Sequence, residues 1–229
     1  EAAARLFARE GADVAIAEYS PGQYEINLEH QSNPVTAADH GLLLKRAIKG
    51  TARSLGFDAT FMARPFEGIS GNGLHLHISL LDGDGNNLFD DSHPEGDQRL
   101  RHAIAGLRAV MAESMLVFAP NANSYRRFEP DGYAPMMTTW GYNNRSVALR
   151  VPAGQGKARR IEHRNAGADA NLVDHHQFRT GIVDCGRHPT SQLHGVQVAE
   201  RLEVFHAAAA TGQDYAAVGT NAGHVDGQD

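Results

Sequence analysis

The sequence predicts an α+β fold built on a mostly antiparallel sheet, and three observations carry that expectation. Residues 74–81 read Leu-His-Leu-His-Ile-Ser-Leu-Leu, an alternating run closed by the turn residues Asp82-Gly83-Asp84-Gly85. Residues 14–28 read as two short strands about Ser20-Pro21-Gly22-Gln23, a turn in which proline presets one φ and glycine accepts a positive one. Long helical periods at residues 36–55 and 98–118 stand apart from the strands instead of alternating with them one for one, which separates α+β from a parallel α/β arrangement.

The elements follow in order. A helix over residues 2–10 ends at Gly11, and strands are expected at 14–19 and 24–28. The helix over 36–55 starts from a Thr36 cap and stops at Gly56. A strand at 59–63 precedes the one at 74–81, and the helix over 98–118 stops before Pro120. Strands at 146–151 and 160–164 complete the pattern. Composition shifts near residue 174, and the last 56 residues hold six of the 13 histidines. There the strand pattern is lost, one helix is expected over 193–210, and the chain from 212 onward reads as a weakly ordered tail. The division is therefore 1–173, a domain of strands and helices, and 174–229, a divergent segment.

The totals exclude several classes. A net charge of −6 and a pI near 6.1 give no basic footprint for nucleic acid. Of 21 basic residues only Lys45, Lys49 and Lys157 are lysines, so the cations are overwhelmingly the planar fork that suits phosphate and carboxylate. The single cysteine, Cys185, fits a reducing compartment, and no run approaches the roughly 20 apolar residues of a membrane span, so a cytoplasmic protein is expected. The chain opens without an initiator Met and within a helical pattern, which reads as a piece of something longer.

Four stretches carry candidate chemistry. A two-residue Pro21-Gly22 loop would set Glu18 opposite Glu25, an arrangement that destabilises a hairpin unless a cation lies between them; a wider loop would leave both carboxylates solvated. His75, His77 and Ser79 share one face of their strand, either as a ligand pair or as ordinary polar residues on a wet face. Arg160, Glu162 and Arg164 share another face, either as a site or as a surface salt-bridge ladder. Residues 121–128 and 140–152 add Arg127, Arg145 and Arg150.

In this order, "EYSPGQYEINL", "GNGLHLHISL", "APNANSYRRF", "WGYNNRSVALRVP" and "ARRIEHRNAGADAN" resemble the successive active-site segments of the glutamine synthetase family, and within it the γ-glutamylpolyamine synthetase branch. The resemblance spans about residues 1–173. It implies a curved, mostly antiparallel sheet flanked by helices, assembled as a ring-shaped homo-oligomer, commonly a dodecamer. It implies ATP-dependent ligation in which the γ-carboxylate of glutamate is phosphorylated and an amine displaces phosphate. Two divalent cations, Mg²⁺ or Mn²⁺, are implied, with Glu18 and Glu25 on one and His75 and Glu162 on the other. His77, Ser79, Arg150 and Arg160 fall at positions that contact ATP, and Arg145 at one that stabilises the transferring phosphoryl group. Gly71, Arg127 and Arg164 fall on the glutamate side. Tyr133 stands where ammonia-using members carry a glutamate, so an alkyl amine or polyamine is expected in place of ammonia. The alternatives are an ordinary glutamine synthetase and a noncatalytic structural homologue. The family's earlier Glu-x-Glu strand and small N-terminal domain are not found in this chain, so the fragment alone is expected to be inactive. Beyond Asn171 the resemblance ends, as a frameshift, a sequencing error or a divergent terminus would produce.

Overall fold

The computed structural model describes residues 13–15, 20–92, 96–130, 133–171 and 195–208, with 13–15 and 195–208 described along the backbone alone. The expected helix over 2–10, residues 16–19 of the first strand and the tail from 212 lie outside the described residues. Among the described residues eight strands form one sheet: β1 Asp13–Ala15, β2 Gln23–Asn27, β3 Phe57–Thr60, β4 Leu74–Leu81, β5 Trp140–Tyr142, β6 Leu149–Val151, β7 Ile161–His163 and β8 Gly195–Ala208. Their order is β1-β2-β8-β4-β7-β6-β5, and β3 also pairs with β8. Every ladder is antiparallel except β5 with β6, so the sheet is mixed.

The longer helices start and stop for visible reasons. Helix α1, Pro34–Ser54, begins two residues before the expected Thr36 cap because Asn33 Oδ1 accepts from Val35 N at 2.9 Å and Pro34 takes the first turn, where its missing N–H costs nothing. It ends at Leu55, and Gly56 then turns the chain at φ 77°. The helix expected over 98–118 is two: α2 Gly96–Ala109 and α3 Met115–Phe118. Between them Ser114 Oγ back-bonds to the Val110 carbonyl at 2.7 Å, and Met111 N reaches the carbonyl three residues back. A further single turn, α4, covers Ala122–Tyr125. Among the described residues no helix is long and apolar enough to cross a membrane.

The sheet has one apolar face. Leu74 and Leu76 of β4 join Ile26, Phe61 and Phe118 against Leu44 and Ile48 of α1. Further along the same strand, Ile78 and Leu80 join Leu149, Val151 and Ile161 against Leu100, Ile104 and Leu107 of α2. Burying each such side chain contributes about 1.5–3 kcal/mol. The alternation of β4 therefore divides as expected, leucines and isoleucine into the core and the imidazoles onto the opposite face.

Two expectations are corrected. The helix over 193–210 is instead β8, a strand between β2 and β4. Val196, Val198, Leu202 and Val204 recur with period two, and β-branched valines favour the extended chain; the closing alanines had pointed to a helix. The β1–β2 register pairs Ala15 with Glu25, three residues away from the pairing a two-residue Pro21-Gly22 loop would impose. The turn itself forms, with Gln23 N donating to Ser20 O at 3.0 Å and Gly22 at φ 77°, but that type II shape does not match the twist of a tight hairpin.

Candidate active site

The site begins with a row across the sheet. The ladders place His77 beside Glu162 and Glu162 beside Arg150. Residues paired in this way share a face, so β4, β7 and β6 present an imidazole, a carboxylate and a guanidinium side by side on the face away from the core. The registers across β8 put Glu25 and His75 on this same face. With two strand spacings and a two-residue offset between them, Glu25 and His75 stand about 12 Å apart.

Glu162 is the hub. It is fully buried, and three groups converge on it. Arg164 Nη1 donates to Oε1 at 2.7 Å, Arg150 Nη1 donates to Oε2 at 2.9 Å, and His75 Nδ1 lies 3.3 Å from Oε1. Arg164 Nη1 also lies 3.5 Å from His75 Nδ1. Burial alone would push the Glu162 carboxyl up; the hydrogen bond and charge of His75, with Arg164 behind it, outweigh burial and hold the group well below the usual carboxylate range. The alternative of a surface salt-bridge ladder is thus excluded, because Glu162, Arg164 and His75 are all buried.

His77 is its counterpart. Burial, with the charge of Arg160 adding and that of Glu162 opposing, lowers its pKa from 6.5 to about 4, so the ring is neutral at pH 7. Arg160 Nε donates to His77 Nδ1 at 2.9 Å, which fixes the tautomer with the proton on Nε2. A measurable pH dependence follows. Between pH 6.5 and about 4 the unfolded chain binds a proton at this residue and the folded chain does not. The contribution is full above pH 6.5 and falls with pH through that window, by on the order of 3 kcal/mol in all. Urea unfolding from pH 7 to pH 4 should show this slope, and His77→Gln should flatten it; an unchanged slope in the variant would place the titration elsewhere.

The remaining expected residues are placed as follows. Arg150 Nη2 also reaches Asn143 Oδ1 at 2.9 Å, and Asn143 turns the β5–β6 connection at φ 47°. Ser79 Oγ lies 3.4 Å from the Arg159 carbonyl. Arg127 is buried and donates to the carbonyls of Asn165 at 3.0 Å and Arg164 at 3.2 Å. Gly71 accepts from Gln23 Nε2 at 3.0 Å, and a Cβ there would come within 2.5 Å of the Ala63 carbonyl and 2.9 Å of Arg127 Cγ. Its glycine is required by the chain's own packing, not only by a ligand. Glu25 is buried, with Asn27 Nδ2 donating to its Oε1 at 3.1 Å. Arg145 is exposed on the turn after Asn143. Tyr133 is 60% exposed, next to buried Ala134. Glu18 lies outside the described residues.

Among the described residues no three His, Cys, Asp or Glu side chains gather as a metal-binding group. Of the expected ligands among the described residues, His75 and Glu162 adjoin, and both Glu162 oxygens are engaged by guanidinium groups. As they stand, the described donors do not fit a two-cation centre. Of the arginines expected on the face of Glu162, Arg164 pairs with it, and Arg150 of β6 is the second partner.

Several supporting residues were not anticipated. Asn72, fully buried, donates to the Met62 carbonyl at 2.9 Å and accepts from Gln23 Nε2 at 3.0 Å, joining β2 to the glycine-rich turn before β4. Asp97 of α2 accepts from Arg159 Nη2 at 2.7 Å and from the Tyr142 hydroxyl at 2.9 Å, which pins the β5–β6 edge. Arg64 pairs with Glu129 at 2.7 Å beside the loop that carries Tyr133. A buried polar residue in a turn was the available signal, and it does not name its partner.

Comparison with known proteins decides the family: the model of the glutamine synthetase catalytic domain matches residues 8–172. The chain belongs to the glutamine synthetase family. Among its relatives, the γ-glutamylputrescine synthetase of Escherichia coli is 48% identical over 160 residues, covering 70% of this chain and 34% of the relative. The γ-glutamylethanolamide synthetase of Streptomyces coelicolor is 37% identical over 190 residues, covering 83% of this chain and 38% of the relative. A glutamate–isopropylamine ligase of a Pseudomonas species is 38% identical over 158 residues, covering 67% and 34%. This glutamine synthetase-family chain spans about a third of the length of these curated relatives. The Glu162 cluster, His77, Arg127 and Tyr133 all lie within the matched region.

Proposed function

We propose that the protein carrying this chain is a cytoplasmic enzyme that joins an amine to the γ-carboxylate of glutamate at the expense of ATP, and that it prefers an alkyl amine or polyamine to ammonia. The observation that carries the proposal is the set of arginines on one sheet face about a buried carboxylate. Phosphoryl transfer to glutamate brings two anions together, and fixed cations offset that repulsion without reorganising. Arg150 and Arg160, at the ATP positions of the family pattern, face the phosphates, and Arg164 faces glutamate. Neutral His77 presents its Nε2–H as a donor to a phosphate oxygen.

The chemistry balances in two steps. An oxygen of the glutamate γ-carboxylate attacks the γ-phosphorus of ATP, and ADP leaves. The amine nitrogen then attacks the γ-carbonyl carbon, phosphate leaves, and the nitrogen loses a proton. Arg145, exposed on the turn after β5, is the residue assigned to the transferring group by the family pattern.

Three of the relatives carry amines in their names: putrescine, ethanolamine and isopropylamine. Exposed Tyr133 supports the same preference, since a phenol offers a ring face for an alkyl chain or an ammonium, the latter worth roughly 0.5–2 kcal/mol, and no carboxylate to take a proton from ammonium. Phosphate release with ATP and glutamate is to be compared across putrescine, spermidine, ethanolamine, ethylamine and ammonium. The highest kcat/KM is expected for an organic amine, and Tyr133→Glu should move the ratio toward ammonium. Ammonium outperforming every organic amine would make this an ordinary glutamine synthetase.

A further inference from the structure

We propose that Asp169 is a positioning residue that seats Arg127 and, through it, Arg164 against Glu162. The proposal extends the functional reading above, because it concerns how the glutamate-side arginine is held. Asp169 Oδ2 accepts from Ser124 Oγ at 2.6 Å and from Asn121 Nδ2 at 3.0 Å. Ser124 is 1% exposed, and its Oγ in turn accepts from Asn121 N at 3.1 Å, closing the first turn of α4. Arg127 N then donates to the Ser124 carbonyl at 3.3 Å, so the residue held by Asp169 sets the backbone that carries Arg127.

From there Arg127 reaches into the strand that bears the site. Its two terminal nitrogens take the carbonyls of Arg164 and Asn165, the residues that follow β7, and Arg164 makes the shortest contact to Glu162. Asp169 is only five residues past Arg164, so the chain leaves β7, turns, and clamps the far end of its own support. Gly167 allows the turn to close: a Cβ there would lie 2.5 Å from Asp169 Oδ1 and 2.9 Å from Ala63 Cβ. The stretches around Asn121 and Asp169 carry residues that no substrate role accounts for, and this relay assigns them one.

The test uses arginine side-chain ¹⁵Nε–¹H spectra of this chain, with the Arg127 and Arg164 signals assigned from R127K and R164K. Asp169→Ala is expected to shift or broaden both signals. Asp169→Asn, which keeps an oxygen for Ser124, is expected to leave both near their original positions. Ser124→Ala removes one hydroxyl and should reproduce the Asp169→Ala change in smaller measure, which keeps the test open if Asp169→Ala fails to fold. Unmoved Arg127 and Arg164 signals in Ser124→Ala, or equal changes in Asp169→Asn and Asp169→Ala, would overturn the proposal. Glutamate is titrated separately into the unaltered chain. A silent Arg164 signal there would count against the glutamate reading alone and leave the relay to the variant spectra.

Discussion

Glu162→Ala is expected to destabilise the fold by about 3–5 kcal/mol, the usual cost of removing one partner of a buried ion pair. Arg164 has no retreat: its guanidinium is 6% exposed and would be left in the sheet with its charge uncompensated. Arg150 is less committed, because it is 13% exposed and keeps Asn143. The origin of the cost is separable. Glu162→Leu combined with Arg164→Met removes the stranded cation along with the carboxylate and should recover part of the loss, whereas Glu162→Leu alone should not. Urea unfolding at pH 7 measures both. A Glu162→Ala chain within about 0.5 kcal/mol of the original would resemble an ordinary surface substitution and would mean the cluster is solvated.

Ending the chain at His194 is expected to abolish cooperative unfolding. Strand β8 pairs with β2 on one side and with β4 and β3 on the other, and among the described residues no ladder joins β2 to β4 directly. Removing it bares three strand edges whose backbone groups need partners, at a net of about 1 kcal/mol for each bond lost, against a whole-domain stability of about 5–15 kcal/mol. Denaturant unfolding followed by circular dichroism is the measurement. A peptide spanning residues 195–208, added to the shortened chain, should restore part of the transition. An unshifted midpoint without residues 195–208 would show that the Ile26–Leu74 core, with Gln23 bridging to Asn72, holds the halves together unaided.

What could be read in advance follows the range of the forces involved. The division of β4 into an apolar and an imidazole face is a property of eight consecutive residues, and the structure keeps it. Glu162 was nominated by its motif, but its engagement with Arg150 and His75 depends on which strands lie beside β7, and no local pattern states that. The Glu18–Glu25 pairing was a register inference from a turn, and registers are where a one-residue error reverses a face. Strand β5 is three residues long and pairs in parallel with β6, too short to show a period. Strand β8 did show one, in Val196, Val198, Leu202 and Val204, and was hidden by the alanines at its end.

Residues 8–172 match the glutamine synthetase catalytic domain and are proposed to carry its glutamate-activating face. The most direct measurement exchanges these residues for the matching segment of the E. coli γ-glutamylputrescine synthetase and follows phosphate release and γ-glutamylhydroxamate formation with ATP, glutamate, a divalent cation and hydroxylamine. The chimera is expected to form hydroxamate within about tenfold of the parent rate, a barrier change of about 1.4 kcal/mol, and to lose it with Arg164→Ala. A folded, assembled chimera that makes no hydroxamate, or one whose phosphate release ignores glutamate, would contradict the account.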